Sequence, residues 1–79
     1  MAENATRCLA NMRAILEAAG SSLDKVVKVT VFLVDMADFE EVNGAYERAF
    51  GGWRPARSCV AVRELPRGVR VEMECVAVP

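Results

Sequence analysis

KVVKVTVFLV, residues 25–34, decides the fold of this chain, because it is rich in β-branched residues and too short to form a core helix. Alternate residues fall on two faces, and both faces are largely apolar. One face carries Val27, Val29, Val31 and Leu33, and the other carries Val26, Lys28, Thr30, Phe32 and Val34. A strand with two apolar faces is typical of a sheet that is covered on both sides. We therefore predict a central strand, with helices on one face and another cover on the second.

Helical periodicity precedes and follows this strand. The apolar residues of segments 3–19 and 38–50 recur at the spacing of one helix face. They are Cys8, Leu9, Met12, Ile15, Leu16 and Ala19 in the first segment and Phe39, Val42, Tyr46, Ala49 and Phe50 in the second. Gly20 ends the first helix, and Gly51 with Gly52 ends the second. The sequence therefore predicts two amphipathic helices.

The C-terminal third of the chain has the pattern of two further strands. Residues 57–63 and 69–78 are rich in valine, and Pro66, Arg67 and Gly68 between them predict a hairpin turn. The strand–helix–strand run before the turn predicts a parallel, right-handed crossover. We predict a single α+β domain over residues 1–79, a mixed sheet with two helices on one face.

Composition limits what can stabilise so small a domain. A chain of 79 residues buries only about 60% of its unfolded surface, and such chains usually need a staple or a partner. The three cysteines are odd in number and the histidine count is zero, which argues against disulfides and zinc. At 53% hydrophobic residues, oligomerisation remains as the stabilising device. We predict a soluble, intracellular, self-associating domain.

The same totals exclude several classes of function. A net charge of −1 argues against an electrostatic nucleic-acid binder, and no apolar run is long enough to span a membrane. Without histidine, Ser-His and Cys-His nucleophile pairs are unavailable. The glycines form neither GxGxxG nor a P-loop. Arginine, carboxylates, cysteine and backbone groups remain to carry any chemistry.

Four polar residues stand among the valines of the predicted hairpin: Arg57, Cys59, Glu72 and Glu74. A turn centred on residues 66 and 67 would place all four on one face, the face that the helices need not cover. They would form either an interface salt bridge or a small-acid pocket between subunits, and spacing leaves both open. For Arg57 itself, spacing favours an ion pair with an acid of the same chain over a grip on a ligand carboxylate.

Two further residues have a default structural interpretation. Arg57 would favour the thiolate of Cys59, but free cysteines are more often buried and inert. Asn43 lies one residue from the apolar stripe of the second helix, where hydrogen bonding to a loop is the default and to a ligand the alternative.

Four segments together resemble the RidA (YjgF) family of reactive-intermediate deaminases: NMRAILEAAGSSLDKVVKVTVFLVDMADFEEVN at 11–43, PARS at 55–58, LPRG at 65–68 and VEMECVAV at 71–78. The resemblance implies a chorismate-mutase-like α+β fold and a homotrimer with its active sites in the clefts between subunits. The implied reaction is hydrolysis of 2-enamine and 2-imine acids, such as 2-aminoacrylate and 2-iminobutanoate, to 2-keto acids and ammonia. The resemblance implies no cofactor and a small-molecule substrate as partner. Nucleic acid and membrane are excluded as partners by the charge and the apolar runs, which also count against the ribonuclease activity attributed to some family members.

The resemblance also implies roles for individual residues. Arg57 matches the arginine that binds the substrate carboxylate, and Glu72 matches the acid that positions the attacking water. Cys59 matches a position whose backbone carbonyl lines the pocket, and Asn43 a less critical pocket position. Members of the family begin with a hairpin and a loop ahead of the first helix, so we expect an N-terminally shortened form.

That shortening leaves two expectations open. One is a deaminase that is impaired or altered in assembly, and the other is a non-catalytic small-acid-binding or regulatory trimeric module. We expect a cytoplasmic protein, or a mitochondrial one if a targeting segment precedes the chain.

Overall fold

Two helices and three strands form a two-layer α+β fold in the computed structural model, which describes residues 1–79. In chain order the elements are α1 (Ala2–Ala18), β1 (Val26–Leu33), α2 (Phe39–Phe50), β2 (Ala56–Ala61) and β3 (Val71–Ala77). Short 3₁₀ turns at Leu23–Lys25, Met36–Asp38 and Pro66–Gly68 join them. All five predicted elements are confirmed, and each bound lies within about two residues of its prediction.

The sheet has the order β2-β1-β3, so β1 is the central strand, as predicted. It pairs parallel with β2, which confirms the crossover as parallel, and antiparallel with β3. The predicted hairpin is wrong, because β2 and β3 each pair with β1 and not with one another. Their connection crosses the end of β1, where Val62 donates its backbone N–H to Leu33 and Val34 donates to Arg70.

This pairing also corrects the predicted register. Cys59 lies opposite Val31, and Glu74 lies opposite Thr30. Residues directly opposite one another share a face, so Arg57 and Cys59 lie on the helix-covered face, whereas Glu72 and Glu74 lie on the other. The prediction that these four residues share one face is therefore wrong. The four residues are divided between the two faces because β2 and β3 pair with opposite edges of β1, the most apolar strand in the chain, and not with each other.

The core lies between the helix layer and one face of the sheet. Its buried side chains come from both helices, from β1 and from β3: Ala5, Leu9, Val26, Val29, Val31, Leu33, Val42, Ala45, Tyr46, Phe50 and Val71. None of the 13 buried residues lies on the second face of the sheet, so this face contributes nothing to the core. We call that second face the open face. It carries Lys28, Thr30, Phe32, Ser58, Val60, Glu72, Glu74 and Val76.

Four apolar residues depart from the predicted pattern and are exposed: Ile15, Ala19, Val27 and Ala49. Val27 is 47% exposed and Val26 is buried in its place, because the β1–β3 register shifts between Val26 and Lys28. Ile15 was predicted in the buried stripe of α1 but is 70% exposed.

Candidate active site

Arg57 lies at the start of β2 and is held by three side chains of α2. Its Nη1 donates to Asn43 Oδ1 at 2.5 Å. Its guanidinium carbon lies 4.7 Å from the centre of the Tyr46 ring and 5.6 Å from that of Phe39. Phe39, Asn43 and Tyr46 follow one another at intervals of four and three residues, so they share one face of the helix.

No acid of the chain forms an ion pair with this guanidinium. The four ion pairs of the structure involve the N-terminus, Arg13, Arg54 and Arg70. The internal ion pair that spacing favoured for Arg57 is therefore absent, and a neutral amide takes its place. Because Arg57 is exposed and most of its N–H donors have no protein partner, the guanidinium is available to an anion from outside the chain.

A cavity of about 450 Å³ opens beside this arginine, between the C-terminal half of α2 and the loop that leads to β2. We call it the Arg57 cavity. Glu47 is the acid in its lining, and it accepts a hydrogen bond from Asn43 Nδ2 at 3.1 Å and pairs with Arg54 at 3.5 Å. Trp53 forms part of the wall, and its indole is fixed by donation to the carbonyl of Val26 at 2.8 Å. Glu47 is thus engaged by its neighbours, and Arg57 is left as the free charge.

Cys59 follows Arg57 on the same face of β2 and is half-buried against β1. Burial raises the pKa of its thiol above the usual 9.0, and the positive charge of Arg57 offsets part of that rise. The thiol is therefore protonated at neutral pH, which argues against a thiolate nucleophile.

Glu72 lies away from this cluster, on the open face of β3 and opposite Phe32. Two strand spacings, about 10 Å, separate β3 from β2, and the sheet itself lies between the two side chains. Of the predicted site residues, one chain therefore brings Arg57, Asn43 and Cys59 together but leaves Glu72 apart.

Several residues around Arg57 were not predicted as site residues; some contact its guanidinium and others line the Arg57 cavity. Tyr46 and Phe39 were assigned to the core, and Glu47, Trp53 and Arg54 were given no site role. The spacing of Phe39, Asn43 and Tyr46 on α2 is the signal that could have found the first two. The contacts of Trp53 and Arg54, in the loop before β2, depend on where β2 begins. The local sequence pattern does not determine that position.

The chain matches the family model described as endoribonuclease L-PSP over residues 1–79. It belongs to that family. This confirms the predicted RidA (YjgF) family membership. Among curated relatives, HMF1 of Saccharomyces cerevisiae is 49% identical over 77 residues, which are 98% of this chain and 60% of the relative.

Solved structures of the family have the same fold. The crystal structure of yeast Mmf1 superposes with a TM-score of 0.96 at 48% identity and covers 98% of this chain and 62% of that one. The structure of Escherichia coli TdcF with bound serine gives 0.94 at 40% identity and covers 99% and 64%. The α+β prediction is thereby confirmed. The chain spans less than two thirds of the length of the family members described here.

Other comparisons bear on location. MMF1 of Saccharomyces cerevisiae, 47% identical over 78 residues, is named as mitochondrial; these residues cover 99% of this chain and 54% of the relative. In this chain, neither α1 nor α2 has the length and apolar character that crossing a bilayer requires.

Proposed function

We propose that this protein hydrolyses reactive 2-imine and 2-enamine acids, such as 2-iminobutanoate and 2-aminoacrylate, to 2-keto acids and ammonia. A 2-enamine acid first tautomerises to the imine, as its nitrogen loses a proton and carbon 3 gains one. Water then adds to the electrophilic imine carbon. The carbon–nitrogen bond then breaks, and the nitrogen leaves as ammonia with the protons of the water. The carboxylate of the substrate does not change during the reaction, so it is the group through which the protein can bind the substrate.

The observation that carries the proposal is the state of Arg57. This guanidinium is exposed, has no acid partner in its own chain and is held in place by Asn43, Tyr46 and Phe39. A planar, pre-oriented guanidinium binds a carboxylate through two parallel hydrogen bonds. If the role of Arg57 were structural, we would expect it to form an ion pair with an acid of its own chain.

The surroundings of Arg57 suit a small amino-acid-like molecule. The Arg57 cavity, at about 450 Å³, has the size of a small-ligand site. The family member TdcF was crystallised with serine, an amino acid of the size expected here. Both observations support a small 2-imino acid as the ligand class.

The catalytic carboxylate is proposed to come from a second copy of the chain. Glu72 is exposed, forms no ion pair in its own chain and lies on the face opposite Arg57. In a homotrimer in which the open face of one copy meets β2 of the next, Glu72 of one copy and Arg57 of the other would contact the same substrate. Arg57 would then bind the carboxylate, Glu72 would orient the water and take its proton, and the carbonyl of Cys59 would line the pocket.

The second candidate is a small-acid-binding module without turnover. It is favoured by the separation of Arg57 from Glu72, because a copy that does not associate offers a binding arginine and no carboxylate to activate water. A ribonuclease, as the family description suggests, is the weakest candidate, since the chain has no histidine and a net charge of −1. The cytoplasm remains the predicted location, with the mitochondrion as the alternative that MMF1 suggests.

The experiment is a coupled assay in which a threonine dehydratase generates 2-iminobutanoate and a nucleophilic trap, semicarbazide, competes with the deaminase for it. We expect the protein to lower trapping, and Arg57→Ala to reduce this effect at least about tenfold, the loss expected for a charged hydrogen-bonding partner. Arg63→Ala is the matched control, because Arg63 is exposed and forms no ion pair or side-chain hydrogen bond.

Three other results would each contradict the proposed deaminase activity and lead to a different conclusion. Binding of 2-oxobutanoate that depends on Arg57, without any turnover, would identify the binding module. Unchanged trapping together with no ligand binding in a folded sample would reject both. Salt-sensitive cleavage of RNA would identify the ribonuclease instead.

A further inference from the structure

Tyr46 combines deep burial, a charged neighbour and a hydroxyl without a partner. The residue is 7% exposed, and its Oη is buried and makes no hydrogen bond. Its ring faces the guanidinium of Arg57 at 4.7 Å. A core tyrosine whose hydroxyl is unsatisfied has no structural advantage over phenylalanine, so the ring is the part of the side chain that matters here.

The ring has a second neighbour besides Arg57. Phe50 packs against it with the ring centres 4.6 Å apart and the planes tilted by 34°. Burial raises the pKa of the phenol, so the side chain is neutral and its attraction for Arg57 comes from the ring face. An exposed arginine on an edge strand would otherwise rotate freely and would have to be ordered when it binds a ligand.

We infer that Tyr46 is a positioning residue for Arg57: its ring is a fixed aromatic platform that orients the guanidinium toward the cavity before the ligand arrives. The inference rests on the proposed function, because it assigns Tyr46 to the same carboxylate-binding site. The hydroxyl does not reach the ligand, since it is buried. Asn43 fixes one nitrogen of the guanidinium, and Tyr46 fixes its plane.

The test compares Tyr46→Phe, Tyr46→Leu and Arg57→Ala in the full chain. The probe is 2-oxobutanoate, and Trp53, the single tryptophan and part of the cavity wall, supplies the fluorescence signal. Loss of a cation–π contact weakens binding by about 2- to 30-fold, so we expect Tyr46→Leu to raise Kd and KM by that factor with a smaller change in kcat. Tyr46→Phe keeps the ring and should stay within about twofold of the parent.

A fluorinated ring separates positioning from packing. Pentafluorophenylalanine at position 46 keeps the shape of phenylalanine but reverses the charge distribution of the ring face, so Kd should rise as it does for Tyr46→Leu. A purely structural role predicts no such rise. Val42→Ala is the matched control, because Val42 is buried on the same helix at 2% exposure and lies outside the cavity lining. It should lower stability and leave Kd unchanged.

The outcomes distinguish this inference from the function on which it rests. If Arg57→Ala abolishes binding while Tyr46→Leu and the fluorinated variant bind like the parent, the platform is refuted and the carboxylate site stands. If Arg57→Ala binds like the parent, both are refuted. Should Tyr46→Leu fail to fold, Tyr46→Met removes the ring face with a flexible side chain that adapts to irregular gaps, and it gives the same decision.

Discussion

Arg57→Ala and Glu72→Gln each disable a different half of the proposed site, and together they test whether that site is shared between copies. In one chain the two residues lie on opposite faces of the sheet, on strands that flank β1 on either side. Arg57 is also tied to α2 by Asn43 and Tyr46. It cannot reach Glu72 of its own chain without leaving these contacts. Each variant lacks one of the two residues in every site, so we expect each to lose most of its activity when purified alone.

A mixture of the two inactive variants should regain activity by a calculable amount. In a cyclic trimer each site would take Arg57 from one copy and Glu72 from its neighbour. With equal, random mixing each partner is intact in half of the cases, so about one quarter of the sites carry both residues. The assay is deaminase activity of the total protein after co-expression of the two variants in equal amounts, without selection of mixed trimers.

A double variant gives the matched control. Chains carrying both substitutions, mixed equally with wild-type chains, should leave about one quarter of the sites active if the site is shared, and about one half if it lies within one chain. A mixture of single variants that is as inactive as its parents, with the double variant leaving one half, would refute the shared site.

Two predictions concern stability. Arg70 Nη2 donates to both carboxylate oxygens of Asp38, at 2.7 and 2.8 Å, and Asp38 is only 7% exposed. Arg70→Ala should therefore lower the free energy of unfolding by about 1–3 kcal/mol in urea titrations, whereas Arg63→Ala should not. Equal stability of the Arg70→Ala variant and the parent would contradict a role for this ion pair. Burial also raises the pKa of three thiols, so the folded protein holds these protons more tightly than the unfolded chain does. The contribution of these thiols to the free energy of unfolding should therefore be constant below about pH 8 and fall as the pH rises through 9 and above. Replacing all three cysteines with serine should make this fall smaller; the thiols are those of Cys8, Cys59 and Cys75.

The secondary structure could be predicted from the sequence because it depends on local patterns. Val29, Val31 and Leu33 alternate onto the buried face of β1, and the periodic positions of α2 bury Val42 and Tyr46. The departures arise where packing overrides the pattern. The bulge between Val26 and Lys28 exchanges the faces of Val26 and Val27, and nothing in a run of valines signals it.

The site could be predicted only in part, because strand pairing depends on contacts between segments that are far apart in the sequence. Two valine-rich strands joined by Pro66, Arg67 and Gly68 have the pattern of a hairpin, yet both pair with β1 instead. That choice sets Arg57 against α2 and leaves Glu72 on the open face. Arg57 and Asn43 were each identified as candidates, but their mutual hydrogen bond depends on the crossover geometry.

The open face also limits what kind of assembly can form there. Val60 and Val76 expose apolar surface on it, which favours association with another copy. Lys28 shares the face, but its ammonium donates to Thr30 and Ser58, so the carboxylates of Glu72 and Glu74 have no cation of their own chain. Burying an unpaired carboxylate in a dry interface costs several kcal/mol. We therefore expect copies to meet on the apolar part of the face and to leave a hydrated cleft at Glu72, where a hydrolytic reaction would find its water.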